Sequence, residues 1–201
     1  MKKVSYFFFI GVSVAFLACT PDNKKGDDHV EYVNEPNVIG EDNDVMADHK
    51  NARAEILNSS GSELKGEATF KTNKDGKVEF KLTLENVAPG EHAVHLHENG
   101  DCSAADASSA GGHWNPTNEE HGKRGTGSFH KGDIGNVTVG DDGKGEMEMI
   151  IEGWSIGGNA DSNILDKAVI IHAGADDFTS QPSGAAGDRI GCGVIVEAIS
   201  H

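Results

Sequence analysis

Cations are scarce in this chain: 17 lysines and arginines stand against 33 aspartates and glutamates, a formal net charge of −16 at pH 7. That balance excludes a nucleic-acid partner, because phosphate backbones are gripped by clustered lysine and arginine. An anionic substrate would have to be drawn by a local field, not by the net charge. No apolar run is long and clean enough for a comfortable membrane span. No internal repeat is visible, and no segment holds the 3.6-residue apolar period of a convincing amphipathic helix, so helical architectures are excluded. Cysteine is nearly missing too: there are three, Cys19, Cys102 and Cys192.

The first residues read as a targeting segment. Lys2 and Lys3 precede a mostly apolar stretch from Val4 to Ala18 that stops abruptly at Cys19, the pattern of a secretory signal peptide over residues 1–19. Phe16-Leu17-Ala18-Cys19 resembles a bacterial lipobox, with Phe16 where leucine is usual, and predicts lipidation of Cys19 and membrane anchoring. Ordinary cleavage near Cys19 with a soluble exported product is the other reading. Residues 20–48 are polar and acidic with few large apolar groups and cannot bury a core, so they read as a disordered tether. The predicted domain is 49–201, with 24 acids against 13 bases. In an exported protein, the two cysteines left after Cys19 are most simply one disulfide, Cys102–Cys192. A pair of soft metal ligands is the alternative.

Within the domain the dominant period is two. Val78, Phe80, Leu82 and Leu84 alternate with Glu79, Lys81 and Thr83, a strand with one buried face. Turns at Asn73-Lys74-Asp75-Gly76 and Asp141-Asp142-Gly143 separate strand-like neighbours. Further strands are predicted at 52–58, 68–72, 92–97, 136–139, 146–150, 168–172 and 193–199. About eight short strands predict an all-β antiparallel sandwich or flattened barrel. Two stretches, 98–132 and 173–191, fit no strand and read as long functional loops.

Histidine is abundant where those loops begin. His95 and His97 share one face of a predicted strand, about 6.5–7 Å apart along it, and His172 ends another. Taken alone, a His-x-His pair suits a metal ion or an open polar sheet face equally well. The 98–132 loop and its exit add His113, His121, His130 and Asp133, three imidazoles and a carboxylate that match a tetrahedral zinc set. Met147 and Met149 alternate on a strand and read as packing, not as a soft metal site. His29, His49 and His201 lie outside every motif.

Four strings carry a family resemblance: Pro89-Gly90-Glu91-His92-Ala93-Val94-His95-Leu96-His97, Ala110-Gly111-Gly112-His113-Trp114-Asn115-Pro116, His130-Lys131-Gly132-Asp133-Ile134-Gly135-Asn136 and Gly187-Asp188-Arg189-Ile190-Gly191-Cys192-Gly193-Val194-Ile195. In order and spacing the region from about Asn51 to Ile199 resembles copper–zinc superoxide dismutase. The resemblance implies an eight-stranded Greek-key barrel and conversion of superoxide to dioxygen and hydrogen peroxide by copper redox cycling, with structural zinc. It implies copper on His95, His97, His113 and His172, and zinc on His113, His121, His130 and Asp133, so that His113 is shared. It gives Asp176 the role of a carboxylate linking the two sites, Arg189 that of a substrate-guiding cation, and His92 a structural role. Gly100-Asp101-Cys102-Ser103 looks like the bacterial branch. Ala173-Gly174 stand where eukaryotic relatives carry charge, so guidance would lean on Arg189 and on lysines such as Lys131 or Lys167. Periplasm or outer envelope is the implied location, and monomer and homodimer both stay open. A module that buffers copper or zinc could use the same ligands but has no need of Arg189 or of a shared His113.

Overall fold

The computed structural model describes residues 50–199, so the signal segment, Cys19 and the acidic tether lie outside the described residues. Eight strands carry the domain: β1 Asn51–Asn58, β2 Lys65–Thr72, β3 Val78–Glu85, β4 Gly90–His97, β5 Asp133–Val139, β6 Gly145–Ile151, β7 Ala168–His172 and β8 Arg189–Val194. A two-residue β9, Val196–Glu197, pairs with β1. The eight run in the order β2-β3-β6-β5-β4-β7-β8-β1, and an added β1–β2 pairing closes the barrel. Every ladder is antiparallel, and the β3–β6, β4–β7 and β8–β1 neighbours cross over as in a Greek key. The only helical element among the described residues is a single 3-10 turn, Ser108–Ala110.

The predicted alternation on β3 holds residue for residue: Val78, Phe80, Leu82 and Leu84 are buried and the intervening residues are exposed. They pack with Ile56, Phe70, Leu96 and Ile171 into the main core. Each large side chain so buried contributes about 1.5–3 kcal/mol. Met147 and Met149 lean on this core as packing residues, while their neighbours Glu146 and Glu148 reach out to Lys81 at 2.5 and 2.6 Å. Those exposed pairs add little to stability.

A third long connection, 152–167, joins β6 to β7, and its apolar residues follow no period. Trp154, Ile156 and Ile164 from it are buried in the core. The seam between β5 and β6 has one ladder pair, Val139 with Gly145. Trp154 packs against Phe70, Phe80 and Trp114, and its indole N–H donates to the Lys131 carbonyl at 2.8 Å.

β7 and β8 carry a second, smaller cluster. Ala168, Ile170 and Cys192 form a second small core with Ala107 and Ala110 of the 98–132 loop. Cys102–Cys192 ties that loop down with a Cα–Cα distance of 5.8 Å across a separation of 90 residues. A closed loop of that length is worth about 4–5 kcal/mol in the chain-entropy picture. The predicted last strand, 193–199, is instead β8 from Arg189 followed by β9, because Gly191 and Gly193 lie against Leu64, Ile56 and the Glu55 carbonyl with no room for a Cβ.

Candidate metal centre

Strand geometry sets the first half of the centre. His95 and His97 project from β4, where the ladder to β5 shifts register between Val94 and His95. His172 ends β7 at a second register shift, opposite Arg189. Such irregularities re-aim side chains at the rims of barrels. His113, paired across from His97 by an isolated bridge, completes the group. One ring nitrogen from each of His95, His97, His113 and His172 lies within 4.8 Å of the others. Ring centroids are 4.0 Å apart for His95 and His113, and 5.0 Å for His97 and His113.

The opposite nitrogens are all engaged. His95 Nε2 faces Asp176 Oδ2 at 2.9 Å, His97 Nδ1 faces the Gly111 carbonyl at 2.9 Å, and His172 Nδ1 faces the Gly187 carbonyl at 3.1 Å. Facing an acceptor, each of these nitrogens must carry the hydrogen, which fixes the tautomer and leaves a lone pair on the other side. The atoms so left, His95 Nδ1, His97 Nε2 and His172 Nε2, together with His113 Nε2, are buried and have no hydrogen-bond partner. Burial lowers the pKa of His97 to about 2, of His172 to about 3 and of His113 to about 4. The three rings are therefore neutral at ordinary pH. Convergent buried lone pairs with no donor are unfavourable unless a cation fills the space between them. The donor set fits an imidazole-binding transition metal such as copper.

The second half is built around a carboxylate. Asp133 Oδ1 lies 2.8 Å from His113 Nδ1 and 3.3 Å from His130 Nδ1. Its Oδ2 is 3.0 Å from His121 Nδ1, which is not oriented to hydrogen-bond it. These four residues form a second group that could hold an ion, and His113 belongs to both, with Nε2 toward one set and Nδ1 toward the other. Three imidazoles and one carboxylate suit tetrahedral zinc. Burial opposes ionisation of Asp133. Hydrogen bonds from His113, His130 and the His130 backbone N–H nevertheless hold its carboxyl well below the usual carboxylate range.

One buried carboxylate joins the halves. Asp176 takes His95 Nε2 on Oδ2 and His121 Nε2 on Oδ1, both at 2.9 Å. Burial opposes its ionisation too, but the contacts from His95, the Phe178 N–H and His121 lower its pKa. Asn136 on β5 grips its backbone from both sides, donating to the Asp176 carbonyl at 3.0 Å and accepting from its N–H at 2.8 Å.

Above the first group opens a cleft of about 410 Å³ lined by His97, His113, His172, Ser183 and Arg189, among others. Arg189 donates to the Ala107 carbonyl at 2.7 Å and the Gly111 carbonyl at 2.8 Å, both in the loop anchored by the disulfide. Neither lysine named from the sequence joins it. Lys131 Nζ turns to the Gly153 carbonyl at 3.2 Å, and Lys167 Nζ to the Glu98 carbonyl at 3.1 Å. Among the described residues, Arg189 is the only lysine or arginine that lines the cleft. His92 holds the backbone, with Nδ1 2.9 Å from the His172 carbonyl and Nε2 2.8 Å from the Ala88 carbonyl.

Arg124 and Gln181 were not anticipated. Arg124 donates Nε to the Asp133 carbonyl at 2.6 Å and Nη2 to the Lys131 carbonyl, while its guanidinium lies 5.1 Å from the Phe129 ring and 5.2 Å from the Trp154 ring. Burial lowers its pKa to about 10. Gln181 carried no signal at all.

The profile described as copper/zinc superoxide dismutase (SODC) matches residues 64–195. The superoxide dismutase-like protein YojM of Bacillus subtilis is 34% identical over 165 residues, covering 80% of this chain and 84% of that protein. Superoxide dismutase [Cu-Zn] 1 of Aquifex aeolicus is 32% identical over 154 residues, covering 75% of this chain and 90% of its own length. Among solved structures, a double mutant of a superoxide dismutase-like protein from Bacillus subtilis, with a tyrosine and a proline each changed to histidine, aligns with a TM-score of 0.64 and 37% identity. That alignment covers 71% of this chain and 95% of that one. The clock protein EA4 aligns at a TM-score of 0.65 and 33% identity over 72% of this chain and 92% of that one.

Proposed function

This chain belongs to the copper/zinc superoxide dismutase family, and on that premise we propose that it is an active dismutase, converting two superoxide ions and two protons to dioxygen and hydrogen peroxide. The observation that carries the proposal is the unpartnered, tautomer-fixed set His95 Nδ1, His97 Nε2, His113 Nε2 and His172 Nε2 beneath a cleft with one cation. Those atoms would hold copper. His113 Nδ1, His121, His130 and Asp133 would hold zinc. Bound there, copper supplies one-electron oxidation and reduction in turn, and zinc a fixed charge that does not change oxidation state.

The chain's own residues supply attraction, orientation and protons. Arg189 gives the acidic domain a local positive field at the cleft. Two of its five N–H donors are committed to the Ala107 and Gly111 carbonyls, which pre-set the guanidinium before substrate arrives. His113 is held at Nδ1 on the Asp133 side, so Nε2 is the atom that takes up a proton in one half-reaction and returns it to the nascent peroxide in the other. Water delivers the second proton. Asp176 keeps His95 and His121 in their tautomers throughout.

The exported, Cys19-anchored location is part of the same reading. It is supported by residues 1–19 and by a disulfide suited to an oxidising compartment. Mass spectrometry of the N-terminal peptide tests it, an acylated Cys19 being the expected result. The catalytic reading is tested by measuring superoxide removal in preparations of graded copper content with zinc held full. Turnover should scale with copper. Both metals bound stoichiometrically with no turnover would favour a metal-buffering module.

A further inference from the structure

The two long loops meet at an exposed, uncharged side chain. Gln181 lies in the 173–188 connection between β7 and β8. Its Oε1 accepts a hydrogen bond from the His121 backbone N–H at 3.0 Å, and its Nε2 donates to the His121 carbonyl at 2.9 Å. One side chain thus pairs both main-chain polar groups of a residue in the other loop, sixty positions away. The segment around Gln181 folds over the same histidine. Asp177 N–H donates to the Gly184 carbonyl at 3.0 Å, and Gly184 N–H to the Ser180 carbonyl at 2.7 Å. Gly184, at φ +67°, packs so tightly that a Cβ would collide with Asp176 Oδ1 and lie 2.8 Å from His121 Nε2. The next two residues, Pro182 and Ser183, line the cleft.

We propose that Gln181 is a positioning residue: a latch that couples metal occupancy of the His113–His121–His130–Asp133 group to the wall of the cleft. This rests on reading that group as the zinc site. Two routes then connect zinc to the wall. The Asp176 carboxylate reaches the imidazole of His121, and the Gln181 amide reaches its backbone. Without the amide, neither backbone group of His121 keeps a hydrogen-bond partner, and the loop there is held by the ring on Asp176 and by the Gly122 N–H on Asp133 Oδ2 at 3.2 Å. Because the coupling is a binding free energy it is reciprocal: a closed wall retains zinc, and bound zinc keeps the wall closed. The amide does not titrate, so the latch holds at every pH at which the fold does.

The test uses the full chain loaded with copper and zinc, compared with Gln181→Ala and with Gln181→Glu. The glutamate keeps an acceptor for the His121 N–H but sets an oxygen against its carbonyl. Three quantities are read: release of zinc to a chelator, release of copper, and backbone hydrogen exchange over residues 177–187 with and without zinc. Gln181→Ala should bind both metals when saturated and release zinc about 10–100-fold faster, the usual cost of losing a residue that orients a ligand. Copper release should stay at the parent rate, and zinc should no longer slow exchange over 177–187. Gln181→Glu should fall between parent and alanine, and carries the test if the alanine variant does not fold. Zinc release at the parent rate in both variants would overturn the latch. Equal acceleration of copper and zinc release, or zinc protection of 177–187 surviving intact, would also overturn it. A parent that takes up no zinc would bring down the site reading as well, whereas a zinc-binding parent with indifferent variants would bring down the latch alone.

Discussion

The two halves of the centre are built by opposite means. His95, His97 and His172 stand on β4 and β7, in ladders whose partners are fixed by β5 and β8. His113, His121 and His130 sit in or at the end of a long loop, and what aims them is a set of individual contacts to Asp133, Asp176 and Gln181, with Arg124 holding the Asp133 and Lys131 carbonyls beside them. The difference teaches where preorganisation comes from. A strand-borne ligand inherits its position from a barrel whose large core exists without any ion. A loop-borne ligand has a position only as good as the side chains that grip it, so the loop half should depend far more on its metal.

Removing the shared residue should break the comparison outright, since His113 serves both halves. His113→Ala is expected to weaken both metals by more than about 100-fold, beyond the usual cost of losing a supporting residue, as read by metal retained after dialysis. Unchanged binding of either metal would show that the halves do not share it.

Acid should break the metal-free fold through the rings it buries. His97, His172 and His113 have folded pKa values lowered to about 2, 3 and 4 by burial, against 6.5 for a free ring. Well above pH 6.5 both folded and unfolded forms are neutral and stability is full. Below it the unfolded chain takes up protons that the folded one refuses, so stability falls with pH. With three such groups the slope is on the order of 4 kcal/mol per pH unit between about pH 6 and 4. Urea unfolding of the metal-free protein across that range checks this, a flat profile being the contrary result.

Arg189→Ala removes no ligand from either half, although Arg189 shares the Gly111 carbonyl with His97. Both metals should stay at parent levels while the rate constant for superoxide falls about 10–100-fold at low salt, within the range by which a focused charge raises encounter rates, and less at high salt. Stopped-flow assays at several ionic strengths would read it. Arg124→Lys is the smallest change. It keeps the charge but loses the fork that holds the Lys131 and Asp133 carbonyls. About a 10-fold faster loss of zinc, at the low end for a supporting residue, with copper release unchanged, would mark the loop half alone.

Legibility in the sequence followed the same division. β3 could be read because alternation of Val78, Phe80, Leu82 and Leu84 reports a half-buried strand directly. The start of β8 could not, because Arg189-Ile190-Gly191 has the composition of a loop and its glycines answer to neighbours distant in sequence. Trp154, Ile156 and Ile164 fill the barrel from an aperiodic connection, and without a period the sequence does not say which face they turn inward. The histidines were legible because imidazole is chemically distinctive. Asp176 could be picked out only by family resemblance, since Asp176-Asp177 reads as a solvated turn. Gln181, Arg124 and Asn136 act on backbone groups, and a residue that bonds main chain needs no recognisable partner type in the sequence.

We propose that His113 takes a different metal on each ring nitrogen. Anomalous diffraction at the copper and zinc edges, on crystals of the doubly loaded protein, addresses it directly. A copper peak beside Nε2 among His95, His97 and His172, with a zinc peak beside Nδ1 among His121, His130 and Asp133, is the predicted result. A single peak, or two peaks with His113 bound to only one, would contradict it.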